Sequence, residues 1–227
     1  MHCNVKKLVA AVLVIAPFGI GGINPTQVHA STNLVQNGDF ELGNTGFTSD
    51  YGYYPVGSPT SGSGHDFYQI STDARTNNNL WVALADHTSG SGNYMNVDAS
   101  NASNKAFWGQ SIGVVTGRTY EISGWFSSLY PVSDPTLKWT IGGADATPTF
   151  DLATPGTWEQ HTFLWTATSN TLDLALTDTN TQESGNDFAV DDLSVRPVPE
   201  ASTVVLFSLL AVGGMLMLRK RSAKASA

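Results

Sequence analysis

The stretch Thr171–Thr179, TLDLALTDT, sets narrow limits on the fold. Leu172, Leu174 and Leu176 recur at every second position, while Asp173 and Thr177 face away from them. A period of two puts the leucines on one face of an extended chain, the mark of a strand with one side buried. Four more stretches alternate in the same way: Thr119–Tyr130, Thr136–Gly143, Thr157–Thr168 and Asp187–Val195. Shorter strand candidates are Asn33–Gln36, Phe67–Ile70, Leu80–Leu84, Tyr94–Val97 and Phe107–Val115. Turn residues separate them at Asn37–Gly38, Thr116–Gly117 and Pro155–Gly156. Between the terminal segments no window has helical periodicity. Many short strands at this spacing predict an all-β chain folded as a β-sandwich. Gly57–Gly64 and His87–Gly92 read as Gly/Ser loops, and no fixed-period repeat suggests a solenoid or propeller.

Both ends differ from this body. Lys6 and Lys7 precede an apolar run from Leu8 to Ile23, and Val28 and Ala30 sit where small residues precede a cleavage site. Residues 1–30 are therefore expected to be a secretory signal peptide cut after Ala30, the alternative being an uncleaved anchor. The one cysteine, Cys3, lies in that segment, so export implies no disulfide framework here. At the far end, Val204–Leu218 is an apolar run, 18 residues long if Ala201, Ser202 and Thr203 are included, backed by Arg219, Lys220 and Arg221. At 1.5 Å per residue, about 18 residues reach roughly 27 Å, close to a hydrocarbon core about 30 Å thick. The basic cluster keeps its side cytoplasmic and leaves the body outside.

Charge follows the same division. Five basic residues stand against all 19 acidic ones in residues 31–200, and five minus 19 gives −14. Such a surface repels nucleic acid and anionic lipid and suits divalent cations or neutral glycans.

The tail resembles the PEP-CTERM sorting signal of exopolysaccharide-producing Gram-negative bacteria. The motif spans Val198, Pro199, Glu200 and Ala201, the membrane helix 202–218, and the basic tail 219–227 with Arg219, Lys220 and Arg221. That resemblance implies handling by secretion machinery and an exosortase, transient membrane anchoring, and delivery to the cell surface or extracellular matrix. Ala201 stands where the family pattern has a second proline, which leaves the processing point open. The alternative is a plain tail anchor.

Within residues 31–197, NLVQNGDFELGNTGF (Asn33–Phe47), WGQSIGVVTGRTYEISGWF (Trp108–Phe126) and FAVDDLSV (Phe188–Val195) are similar to the opening, middle and closing strands of galactose-binding-like and carbohydrate-binding-module jelly rolls. The resemblance implies a jelly-roll sandwich with first and last strands adjacent, a function in binding or structuring extracellular polysaccharide in a matrix or biofilm, and a structural calcium. Calcium takes six to eight oxygen ligands at about 2.3–2.6 Å. Glu41 and Asp191 are its expected side-chain ligands, with Asp39 weaker. Strict alternation puts Asp191 in phase with Leu193 and Val195, pointing inward, where a bare carboxylate is costly. The alternative is that these carboxylates accept backbone N–H bonds. A surface protein acting through protein contacts without sugar recognition is the other functional reading.

Most aromatic residues fall on inner faces and read as packing, with Trp125 on the opposite face of its strand. Tyr51, Tyr53 and Tyr54 crowd a Gly- and Pro-bounded turn and are the candidate ligand-binding platform, the alternative being loop packing. Catalysis is not expected. Asp86, His87 and Ser89 lie together in one polar loop, but a triad is defined by spatial roles. No metal-binding histidine spacing or nucleophile elbow is present.

Overall fold

The computed structural model describes residues 31–58, 64–103, 105–182 and 184–199. They belong to one compact unit. The expectations for Ala30, Glu200, Ala201, Arg219, Lys220, Arg221 and the apolar tail lie outside the described residues. Among the described residues, no helix is long and apolar enough to cross a membrane.

The five alternating stretches become long strands, β5 (Thr119–Ser128), β6 (Thr136–Ile141), β9 (Glu159–Thr166), β10 (Thr171–Asp178) and β11 (Phe188–Pro197), and the shorter candidate Phe107–Val115 becomes β4 (Ala106–Gly113). β2 (Phe67–Ser71) and β3 (Tyr94–Asp98) also fall where expected. Three two-residue strands, β1 (Gly52–Tyr53), β7 (Ala144–Asp145) and β8 (Phe150–Asp151), are too short to leave a period. A single 3-10 turn at Ala74–Thr76 is the only helical element among the described residues. Two expected strands do not form. Leu80–Leu84 runs as turn and coil, and Asn33–Gln36 lies beside β11 without joining its ladder. There the Asn33 side chain replaces a strand: its Nδ2 donates to Leu193 O at 2.9 Å and its Oδ1 accepts from Val195 N at 3.0 Å. The first segment thus does lie against the last strand.

The strands form two sheets packed face to face as a jelly-roll sandwich. One has six strands in the order β1-β2-β3-β11-β5-β9; the other runs β4-β10-β6-β7, with β8 also on β6. The ladders are antiparallel except β1 on β2. Leu172, Leu174 and Leu176 are at most 1% exposed, each contributing about 1.5–3 kcal/mol by burial. Trp108 and Trp139 flank Leu176 on the two neighbouring strands, and Tyr120, Ile122 and Phe126 of β5 join the same core.

A second, smaller core forms around Ala74, Trp81, Tyr94, Leu129 and Ala189. Ala189 and Val190 are neighbours on β11, yet Val190 belongs to the main core. The small core therefore sits on the other side of the six-stranded sheet, under the chain between β2 and β3.

Candidate functional site

The loop Ala85–Asn93 reaches across the outside of the six-stranded sheet and gathers carboxylates. Asp191 is fully buried there, its Oδ2 accepting from His87 N at 2.8 Å and Thr88 N at 3.4 Å, its Oδ1 from Asp192 N at 2.8 Å. This burial matches expectation, but the direction does not. The register of β11 against β5 shifts between Asp191 and Ser194, and Asp192 takes φ +49°. That bulge breaks the alternation. Val190 and Leu193 both point into the sandwich, and Asp191 points out beneath the loop instead of sharing their face. Burial pushes its carboxyl up to about 7 against the pull of the amide donors.

The same loop meets Glu41, whose Oε1 accepts from Asn93 N at 2.8 Å, and it encloses Asp86, which accepts from Gly92 N at 2.7 Å and Ser89 N at 2.8 Å. Asp39 Oδ1 accepts weakly from Glu41 N at 3.4 Å. The fold thus brings Glu41 and Asp191 to one loop, with backbone N–H groups as their immediate partners. Among the described residues, no three His, Cys, Asp or Glu side chains converge closely enough to hold a metal. A carboxylate oxygen has two acceptor sites, so an amide on one leaves the other for a cation. Any calcium here needs carbonyl oxygens beside Glu41 and Asp191.

His87 stacks on Trp125 with ring centroids 3.8 Å apart, and its Nδ1 lies 2.7 Å from Asp192 Oδ2. Trp125 is half-buried on the outer face, as alternation predicts. Ser89 Oγ pairs with Asp86 at 3.2 Å, and His87 pairs with Asp192, so the hydroxyl and the imidazole have separate partners. That loop has the geometry of a turn, not of a nucleophile with its base.

The tyrosines divide. Tyr51 is 5% exposed, its hydroxyl accepts from Ser100 N at 3.2 Å, and its ring packs edge-on against Phe107. It is core, which overturns its assignment to a ligand platform: the short parallel pairing of β1 with β2 turns this ring inward. Tyr53 is 38% exposed and tilts over Tyr68, and Tyr54 packs edge-on against Phe67.

An open groove lies on the other sheet. The outer faces of β4, β10 and β6 form the floor of a groove of about 1190 Å³. Side chains there are small: Ala175 sits between Gly109 on β4 and Thr140 on β6. Asp173 stands opposite Ser111, and Thr177 opposite Lys138. One wall is Gly46–Thr48, fixed by paired bonds of 2.8 and 2.9 Å between Thr48 and Gly109. Gln110 holds the same wall, donating from Nε2 to Gln36 O and Gly46 O. The Gly142–Gly143 turn and Asp145 close the other side, with Lys138 Nζ 2.7 Å from Asp145 Oδ1. Tyr51, Tyr53 and Tyr54 do not line this groove. Asp173, Lys138 and Thr177 were not among the expected site residues. Alternation already placed Asp173 and Thr177 on the outer face, but nothing local marks that face as concave.

No family model matches the chain, and no curated protein matches it. Solved structures share its fold. A CBM22-1 xylan-binding domain from Paenibacillus barcinonensis Xyn10C aligns at TM-score 0.50 and 16% identity, covering 76% of this chain and 98% of that one. A cyclase from Fischerella sp. TAU, solved with 4-(1H-indol-3-yl)butan-2-one, aligns at TM-score 0.50 and 9% identity, covering 73% and 96%. TmCBM61, solved with β-1,4-galactotriose, aligns at TM-score 0.45 and 13% identity, covering 74% and 100%. At these identities the two likenesses at TM-score 0.50 establish the sandwich and nothing about the ligand.

Proposed function

We propose that this chain is an exported, non-catalytic protein that binds extracellular polysaccharide through the groove on its five-stranded sheet. The observation that carries the reading is the groove itself: an open trough of about 1190 Å³, floored by small side chains and walled at both sides. The sandwich shared with a xylan-binding domain supports it, although the same architecture also houses a cyclase. The full-length protein in nonionic detergent is expected to be retained by at least one polysaccharide of a neutral and acidic panel. Passage of the protein through every one of them would refute the reading.

A surface protein acting by protein contacts is the second reading. Among the described residues, Phe47 is the only aromatic one in the groove lining, which favours this reading over sugar stacking. Self-association in sedimentation without glycan retention would select it.

Sorting by an exosortase through residues 198–227 belongs to the same proposal, with a matrix or biofilm role at the surface of a Gram-negative cell. Deleting those residues is expected to move the protein from the envelope fraction to the periplasm or medium; unchanged distribution would count against sorting. Structural calcium held by Glu41 and Asp191, with Asp39 beside them, completes it.

A further inference from the structure

The groove's chemistry narrows its ligand within the polysaccharide reading, on which this inference rests. Gly109, Ala175 and Thr140 side by side give the floor no ring to stack against a pyranose. Recognition there falls to hydrogen bonds from a few placed polar groups. Charge is equally restricted. Lys138 is the only cation in the described lining, and Asp145 holds it at 2.7 Å. Asp173 is exposed on the floor of β10, and among the described residues its carboxylate has no hydrogen-bond or ion-pair partner. Asp145 and Asp173 against Lys138 leave the groove one negative charge in excess, within a body that is acidic overall.

An ionised carboxylate only accepts hydrogen bonds, and it does so through two oxygens. It matches two adjacent hydroxyl donors and repels another carboxylate. We propose that Asp173 is the specificity-determining residue of the groove: it accepts from vicinal hydroxyls of an uncharged glycan and turns away uronate-bearing glycans.

Titration calorimetry on the full-length protein in nonionic detergent tests this, using xylohexaose, cellohexaose and β-1,4-galactohexaose as neutral probes and oligogalacturonate as the acidic one. At least one neutral probe is expected to bind, with oligogalacturonate tenfold weaker or more. Asp173→Ala is expected to weaken the neutral probe at least tenfold and Asp173→Asn by less. Both should keep the wild-type melting temperature, because the side chain is exposed and partnerless. Asp173→Lys is expected to improve binding of oligogalacturonate. Neutral binding within twofold of wild type in Asp173→Ala, or a wild-type preference for oligogalacturonate, would overturn this inference and leave polysaccharide binding standing. Failure of the wild type to bind any probe would overturn both.

Discussion

Replacing Asp178 with Asn isolates one buried carboxyl in the stability of the whole domain. Asp178 ends β10 and is 1% exposed. Its Oδ1 accepts from Asn180 N at 2.9 Å and Thr136 N at 3.4 Å, and its Oδ2 from Asn186 Nδ2 at 3.0 Å. Burial outweighs these donors and pushes the carboxyl up to about 7. In the unfolded chain an aspartate ionises near pH ~3.9. Between those values the unfolded state has released a proton that the folded state keeps, so raising the pH favours unfolding. A gap of about three pH units at about 1.36 kcal/mol each gives on the order of 4 kcal/mol, lost between about pH 4 and 7 and constant above. Asn does not titrate. It can keep the two backbone donors on its oxygen, but its amide then faces the Asn186 amide, a pH-independent cost of about 1–3 kcal/mol. Urea unfolding of both proteins across that range, followed by tryptophan fluorescence, measures the wild-type advantage at each pH. Asp98 and Asp191, also pushed up to about 7, and Asp66, Asp73 and Asp86, held low, contribute to both proteins and cancel in the difference. The wild-type advantage is expected to shrink by several kcal/mol as pH rises. A difference that stays constant, or grows with pH, refutes the reasoning.

Three other outcomes are expected. Gly38→Ala places a methyl carbon 2.2 Å from Leu193 O, against backbone that cannot yield cheaply, and should cost about 2–3 kcal/mol in urea unfolding; a loss below about 0.5 kcal/mol would show that the Gly38–Leu193 contact is slack. Thr177→Val keeps the shape and removes a buried hydroxyl that has no partner, so the melting temperature should rise by the equivalent of about 1 kcal/mol; a fall would mean that the hydroxyl is satisfied in solution. Chelation should lower the melting temperature, since a ligand at 100 times its dissociation constant stabilises by about 2.7 kcal/mol; an unchanged melt on metal-free protein removes Glu41, Asp191 and Asp39 from the ligand list.

Alternation is a local property, and it was enough to place β5, β6, β9, β10 and β11 and the inward faces of β10 and β5. Pairing is not local. The sequence of Asn33–Gln36 reads as a strand, but Asn33 makes ladder-like bonds with its side chain and leaves the segment outside the sheet. Asp191 shows the same limit at single-residue scale. Alternation with its apolar neighbours pointed it inward, yet one extra residue at the bulge moved it to the opposite side of the sheet, where a loop about 100 residues earlier in the chain buries it and supplies its donors. Tyr51 looked like an exposed platform because its neighbours are turn-formers, and the pairing of β1 with β2 folded it into the core.

By itself the sequence determined the class of fold, the acidic character of the body and the side of β10 that carries Asp173 and Thr177, because each depends only on spacing and composition. Tertiary structure alone decided that this side is a groove. Its walls come from Gly46–Thr48 and Gly142–Asp145, segments about 100 residues apart that meet only when β4, β10 and β6 align. Concavity is a relation between distant parts of the chain, and no stretch of residues carries it alone.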